Sequence, residues 1–218
     1  AEMIRGGVVS FSDMYMFEDA VAEVVLETGV KANLSRALVS FSPEANIASD
    51  SRFAEAKALV EKYQNADDER VKVDFSLHAE YTNLPHYIAE VSEYAATNGL
   101  RMHLHVSETE KEHNECVARH GKTPTRLFYD LGTLNTPTLA AHCVWVSDED
   151  IAILAEKQVS VVHNPVSNLK LGSGVMPLGK MISAGVNVCL GTDGVASNNR
   201  LDILREMQTA AILHKGVL

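Results

Sequence analysis

The sequence predicts an α/β protein built around a parallel β-sheet. Three observations carry this prediction. Short β-rich apolar runs alternate with amphipathic helical patterns through seven successive strand–helix units. No hairpin signal of the Asn-Gly or Asp-Gly kind joins two neighbouring runs. Polar side chains suited to chemistry collect where the apolar runs end. Repeated βα units imply either an open doubly wound sheet or a closed (β/α)8 barrel. No glycine-rich dinucleotide fingerprint follows the first run, which weighs against the open sheet. Seven units fall one short of a closed barrel.

The elements follow in order. Val8–Ser12 predicts a strand. Phe17–Glu27 predicts a helix, with Ala20, Val21, Val24 and Val25 at helical spacing and Gly29 as its stop. Ala32–Phe41 is strand-like, and Ser51–Gln64 is helical, with Phe53, Ala56, Leu59, Val60 and Tyr63 on one side. Val71–Leu77 alternates with period two. Pro85–Ala96 is a helix ended by Asn98-Gly99. Leu100–Val106 predicts a strand, Glu110–His120 a helix and Leu139–Cys143 a strand. Asp148–Gln158 is a helix that Ser147 can cap. Ser160–His163 is a strand, Pro177–Ala184 a short helix, Val186–Leu190 a strand and Leu201–His214 the last helix.

Composition narrows the function. Nineteen Lys and Arg face twenty-nine Asp and Glu, a formal charge of −10. A balance this acidic argues against a nucleic-acid backbone as partner, though not against a nucleoside as a small substrate. No apolar run approaches the roughly 20 residues needed to span a bilayer, so no membrane partner is expected. Cys116, Cys143 and Cys189 are too widely spaced for a CxxC zinc site and form no disulfide framework. With no secretory pattern at Ala1–Gly7, a reducing, cytoplasmic setting is expected.

His78, His103, His105, His142, His163 and Asp193 all fall at predicted strand ends, where barrel enzymes place their chemistry. A lone histidine there is ordinarily a satisfied polar residue. Several strands ending this way would converge on one mouth. Imidazoles with a carboxylate and no thiolate suit a catalytic Zn²⁺ or Fe²⁺ better than a structural zinc. His105 and Glu108 form H-x-x-E, a spacing that lets one side chain hold a metal while the other faces a substrate; His103 and His105 could equally be a two-ligand pair. His163 either lines the pocket or braces the loop at Asn164–Asn168. His86, His113, His120 and His214 lie on predicted helices or their ends and are expected to be solvated, whereas Cys143 and Cys189 are expected in the core.

Longer motifs carry a resemblance. His105-Val106-Ser107-Glu108-Thr109, Ala141-His142-Cys143-Val144, His163–Gly174 and Leu190–Asn199 resemble the amidohydrolase superfamily, and within it the 5-methylthioadenosine/S-adenosylhomocysteine deaminase group, with triazine chlorohydrolases as near neighbours. The resemblance runs along essentially the whole chain. It implies a partial (β/α)8 TIM-like barrel of the metal-dependent hydrolase type, with strands two to eight present. The family's first strand, which bears an H-x-H metal pair, and its flanking β-sandwich have no counterpart before Val8. Residues 1–218 would then be an incomplete barrel domain, internal to a longer protein, which an opening Ala also suits.

The resemblance further implies one divalent metal, zinc first and iron second, held by His105 and Asp193. Glu108, His142 and Asp193 would be catalytic, with Glu108 and Asp193 also meeting the substrate. His78 would contact substrate, and Arg36 and Arg52 would meet the carboxylate of S-adenosylhomocysteine, unless they are ordinary surface arginines. The implied activity is hydrolytic deamination of an adenosine derivative. Alternatives on the same scaffold are guanine, cytosine or 8-oxopurine deamination, or triazine dechlorination. An alternative of another class is a catalytically incomplete polypeptide. Cytidine-deaminase chemistry on its own fold is excluded, because no P-C-x-x-C signature is present. The resemblance leaves homo-oligomerisation open.

Overall fold

The computed structural model describes residues 1–217. Eight strand segments form one all-parallel sheet: β1 (Ser10–Tyr15), β2 (Lys31–Leu38), β3 (Val71–Val73), β4 (Phe75–Leu77), β5 (Met102–Val106), β6 (Thr138–His142), β7 (Ser160–His163) and β8 (Asn187–Leu190). Their spatial order is β1-β2-β4-β5-β6-β7-β8, with β3 also paired to β2. Apart from β3 and β4, which both pair with β2, consecutive strands are neighbours, as in a barrel wall and unlike a doubly wound sheet, whose order reverses. The architecture is the expected partial α/β barrel. Among the described residues, β1 pairs only with β2 and β8 only with β7, so the curl has two open edges.

The period-two run at Val71–Leu77 is one line interrupted once. Ala32↔Val71 and Leu38↔Leu77 keep the same register on both sides of the break. The break falls at Asp74, whose buried carboxylate takes bonds from Arg101 Nε at 2.7 Å and from Asn33 Nδ2. Helices Glu18–Thr28, Ser51–Tyr63, Pro85–Thr97, Glu110–His120 and Asp148–Glu156 return the chain between strands. On the outer face of the sheet Phe75, Leu77, Met102 and Leu104 meet Phe53, Tyr87, Ile88 and Val91 from two of these helices, and Ile151 and Leu154 of a third join the same core. A second cluster under β1 to β3 joins Ala22 and Val25 to Leu34, Leu59 and Val73.

The structure shifts some expected boundaries. The first strand begins at Ser10 rather than Val8 and runs on to Tyr15. The last helix begins at Ile203, because Asp202 caps it by accepting from Arg205 N at 3.0 Å. Pro124–Asp130 is an additional helix, started by the Thr123 cap and Pro124 at its first position. Cys143 is buried as expected, but Cys189 is exposed. It lies on β8, whose outer side no strand covers among the described residues. No helix of the described chain is long and apolar enough to cross a membrane.

Candidate active site

Period two on β5 sends Met102, Leu104 and Val106 outward into the core and His103 and His105 to the concave side. His105 Nδ1 lies 2.8 Å from the carbonyl oxygen of His78. A carbonyl can only accept, so Nδ1 carries the proton and Nε2 keeps its lone pair. Burial, with His142, His103 and His78 nearby, pushes the His105 pKa down to about 3, so the ring stays neutral. Its ring stacks on that of His142, centroids 5.4 Å apart, and lies 5.0 Å from that of His78.

His142 ends β6 and is 1 % exposed. Its Nδ1 is 2.9 Å from Asn168 Oδ1, and its Nε2 is 3.8 Å from Glu108 Oε2. Glu108 accepts a 3.3 Å bond from the Ser173 hydroxyl. Asp193 follows β8 and accepts from Ser167 Oγ at 2.6 Å and from the Gly194 amide at 2.7 Å. Burial alone would raise its pKa; those two bonds and the nearby His142 outweigh it and hold the carboxyl below its usual range.

The backbone is unusual at the same level of the barrel. Ser107, His142, Cys143 and Asp193 all have positive φ, at 47°, 74°, 47° and 58°. None is glycine, so each conformation costs roughly 1–3 kcal/mol that the surrounding contacts must offset. Such residues concentrate at active sites, and here all four follow or end a strand at its C-terminal side.

The expected site residues therefore divide. His78 lies against His105, His105 against His142, and His142 against Glu108, while Asp193 is near enough for His142 to influence its charge. Arg36 and Arg52 do not join them. Arg36 Nε is 2.7 Å from Glu55, and its Nη1 donates to the Ala37 carbonyl. Arg52 makes two bonds to Asp50, which also takes the Tyr87 hydroxyl at 2.7 Å. His103 packs against Ser35 Oγ at 3.3 Å. His163 meets His214, Nε2 to Nε2 at 2.9 Å, and His120 meets Glu80 at 3.1 Å. The expectation that His120 and His214 are solvated is thus corrected: tertiary packing brings both helix ends onto buried partners. His113 is half-buried rather than solvated, whereas His86 is exposed.

Ser167, Asn168 and Ser173 touch this cluster, yet spacing did not single out Ser167 or Ser173. Their signal was present, since all three lie within the long His163–Gly174 motif.

The donor set at His105 and Asp193 fits a divalent metal of the zinc or iron type. One imidazole has its tautomer fixed by a backbone carbonyl and its Nε2 free, the usual state of a metal-ligating histidine; the other donor is an ionised carboxylate. Among the described residues no three His, Cys, Asp or Glu side chains are grouped to hold a metal.

A wall of parallel βα units with imidazoles and carboxylates at its strand ends defines a barrel-type enzyme scaffold. The chain belongs to the amidohydrolase family, whose model matches residues 1–218. It is 47 % identical over 216 residues to the 5-methylthioadenosine/S-adenosylhomocysteine deaminase of Dictyoglomus thermophilum, covering 99 % of this chain and 50 % of that one. It is 45 % identical over 214 residues to the 5′-deoxyadenosine deaminase of Methanosarcina acetivorans, covering 98 % and 49 %. The crystal structure of an adenosine deaminase from Xanthomonas campestris with bound zinc superposes with a TM-score of 0.90 at 38 % identity, covering 99 % of this chain and 49 % of that one. The chain thus spans about half the length of the curated relatives it matches.

Proposed function

We propose that this chain carries the acid–base side of an active site for hydrolytic deamination of an adenosine derivative, with 5-methylthioadenosine, S-adenosylhomocysteine and 5′-deoxyadenosine as the substrate class. The observation that carries it is the convergence on one imidazole, His142, of Glu108 at 3.8 Å and the neutral His105 ring. The named activities of the relatives support the substrate class.

His105 Nε2 and the Asp193 carboxylate would hold one divalent cation, zinc first. When bound, such a cation supplies a water whose pKa is brought toward ~7. Glu108 delivers a proton to the ring nitrogen beside the carbon under attack, so negative charge does not build on the ring. Asp193 accepts the proton of the attacking water and returns it to the departing ammonia. His142, with Nδ1–H committed to Asn168, offers Nε2 to that water as a hydrogen-bond acceptor. His78 borders the same space, beside the substrate. The hydroxyl left on the ring carbon returns its proton to Glu108 as the C=O forms, so the net change replaces the ring C–NH2 by C=O, consuming water and releasing ammonia.

The test is ammonia release by the native protein that carries this chain, loaded with zinc. The panel is methylthioadenosine, S-adenosylhomocysteine, 5′-deoxyadenosine, adenosine, guanine, cytosine and a chlorotriazine. Ammonia from the adenosine derivatives is expected. Turnover only of guanine or cytosine, or chloride release from the triazine, overturns the substrate class.

A second reading concerns residues 1–218 alone. Catalytic zinc sites ordinarily use three protein ligands, and among the described residues no three are grouped. The isolated chain is expected to retain less than one zinc in equilibrium dialysis and to release no ammonia. Stoichiometric zinc with turnover overturns that.

A further inference from the structure

The helix Glu110–His120 begins with the sequence Thr109-Glu110-Lys111-Glu112, the spacing of a capping box. Half of the box forms as usual, since Thr109 Oγ1 accepts from the Glu112 amide at 3.1 Å. The other half does not. In an ordinary box the glutamate returns to the amide of the capping residue, here Thr109. Glu112 instead reaches further back along the chain. Its Oε1 accepts from the Ser107 amide at 2.9 Å and its Oε2 from the Glu108 amide at 2.7 Å.

These two amides flank the α-carbon of Ser107, and the second belongs to Glu108 itself. They point the same way because Ser107 holds φ at 47°. The opposite side of the same peptide is also fixed, as the Ser107 carbonyl accepts from the amides of Val144 and Trp145 at 3.1 and 2.9 Å. Trp145 in turn donates to the carbonyl of Ser173, whose hydroxyl bonds the Glu108 carboxylate. Glu112 is 4 % exposed. Burial pushes its pKa up to about 7 against the pull of the amide bonds, so keeping this carboxylate here costs stability that a solvated cap would not.

We infer that Glu112 is a positioning residue for the reaction: its carboxylate clamps the Ser107 and Glu108 amides and so aims the Glu108 side chain at the substrate ring. This rests on the deaminase reading for its kinetic consequence, but the clamp itself does not. Misplacement of a reacting group by about 1 Å costs on the order of 10²-fold in rate. Glu112→Ala removes both acceptors, and Glu112→Gln keeps one while turning an NH2 toward the other amide.

The experiment uses the native zinc-loaded protein, with the variants Glu112→Gln, Glu112→Ala and Glu108→Gln and the double variant Glu108→Gln/Glu112→Gln. Expected for methylthioadenosine is a kcat loss of about 10-fold in Glu112→Gln and about 10²-fold in Glu112→Ala, with KM within about threefold of the parent. In the Glu108→Gln background the Glu112→Gln loss should vanish, because the group being aimed is already disabled. A lowered melting temperature with kcat unchanged, or losses that multiply in the double variant, would show an ordinary helix cap and overturn the inference. Amide hydrogen exchange at Ser107 and Glu108 separates the two readings. If the parent protein releases no ammonia, the deaminase reading has failed. The clamp then stands if these two amides exchange at least about tenfold faster in Glu112→Gln, and falls if they exchange at the parent rate.

Discussion

The two ends of the barrel wall treat their charged groups in opposite ways. At the N-terminal end, Asp74 is 3 % exposed and its oxygens are occupied by Arg101 and Asn33, while a further Arg101 nitrogen bonds Asn33 Oδ1 at 2.7 Å. Donors and acceptors there are consumed by one another, and that network bridges β2, β4 and β5. At the C-terminal end the groups are held but not consumed. His105 and His142 each spend Nδ1 on a fixing partner. Asp193 is gripped by Ser167 and Gly194. Ser107, His142, Cys143 and Asp193, beside these groups, hold positive φ. One end thus spends its polar groups on one another, and the other holds its polar groups while leaving an atom of each available.

Substitutions can break this contrast, beginning with the largest expected effect. Asp193→Asn removes the proposed proton acceptor. It should lower ammonia release by about 10³-fold, within the ~10²–10⁴ range for general acid–base steps, while moving the melting temperature by only a few degrees. Near-parental turnover would show that Asp193 plays no such part.

Arg101→Ala acts at the opposite end. It strips the cation from buried Asp74 and should cost about 2 kcal/mol, less than a fully buried pair because Arg101 is itself partly exposed. Thermal melts should fall by about 4–8 °C, with kcat per folded molecule unchanged. A selective loss of kcat would mean the two ends are not separable.

Glu18 sharpens the comparison, because it lies beyond the C-terminal end of β1 and is 2 % exposed, with Oε2 unpartnered. Burial, with the charge of Asp13 next, pushes its pKa up to about 8 from 4.5. The folded state therefore holds this proton more tightly than the unfolded chain. Its stability contribution is complete below pH 4.5 and is lost as pH rises through about 8. Glu18→Gln should melt about 5 °C above the parent at pH 9 and show little gain at pH 4. Equal gains at both pH values would remove the titration from the explanation.

Arg36 gives the smallest effect. Its pair joins a largely buried guanidinium to an exposed Glu55 carboxylate, a partner that solvent already screens and that a ligand carboxylate could displace. If that displacement occurs, Arg36→Ala should lower kcat/KM for S-adenosylhomocysteine about tenfold more than for methylthioadenosine. Equal losses on both substrates would leave Arg36 as a structural partner of Glu55.

Much of the candidate site was legible in the chain because parallel βα units place successive strand ends at one mouth. A histidine that ends an apolar run stands at the level of that mouth, but only the structure shows that His142 meets Glu108 there while His163 turns to His214 of the last helix. Side-chain pairing was not legible in the same way. Nothing in the spacing of Arg36 and Arg52 indicates that Glu55 and Asp50 already hold them. The Thr109-x-x-Glu112 pattern marks a helix start, but not that the glutamate passes over its own cap to reach Ser107 and Glu108.

The sequence by itself determined the alternation of strands and helices, the parallel α/β class and the identity of the residues at the strand ends. Those follow from periods of 2 and 3.6 and from contiguous motifs, which are properties of neighbours along the chain. Only the tertiary structure decided which donor meets which acceptor. His78 meets His105 from another strand, Asn168 and Glu108 approach His142 from opposite sides, and His214 folds back onto His163. It also decided that Cys189, on an apolar run like Cys143, is exposed while Cys143 is buried. The physical reason is that hydrogen bonds and burial act across about 3 Å of space, and distance along the chain does not set distance in space until the strands have paired.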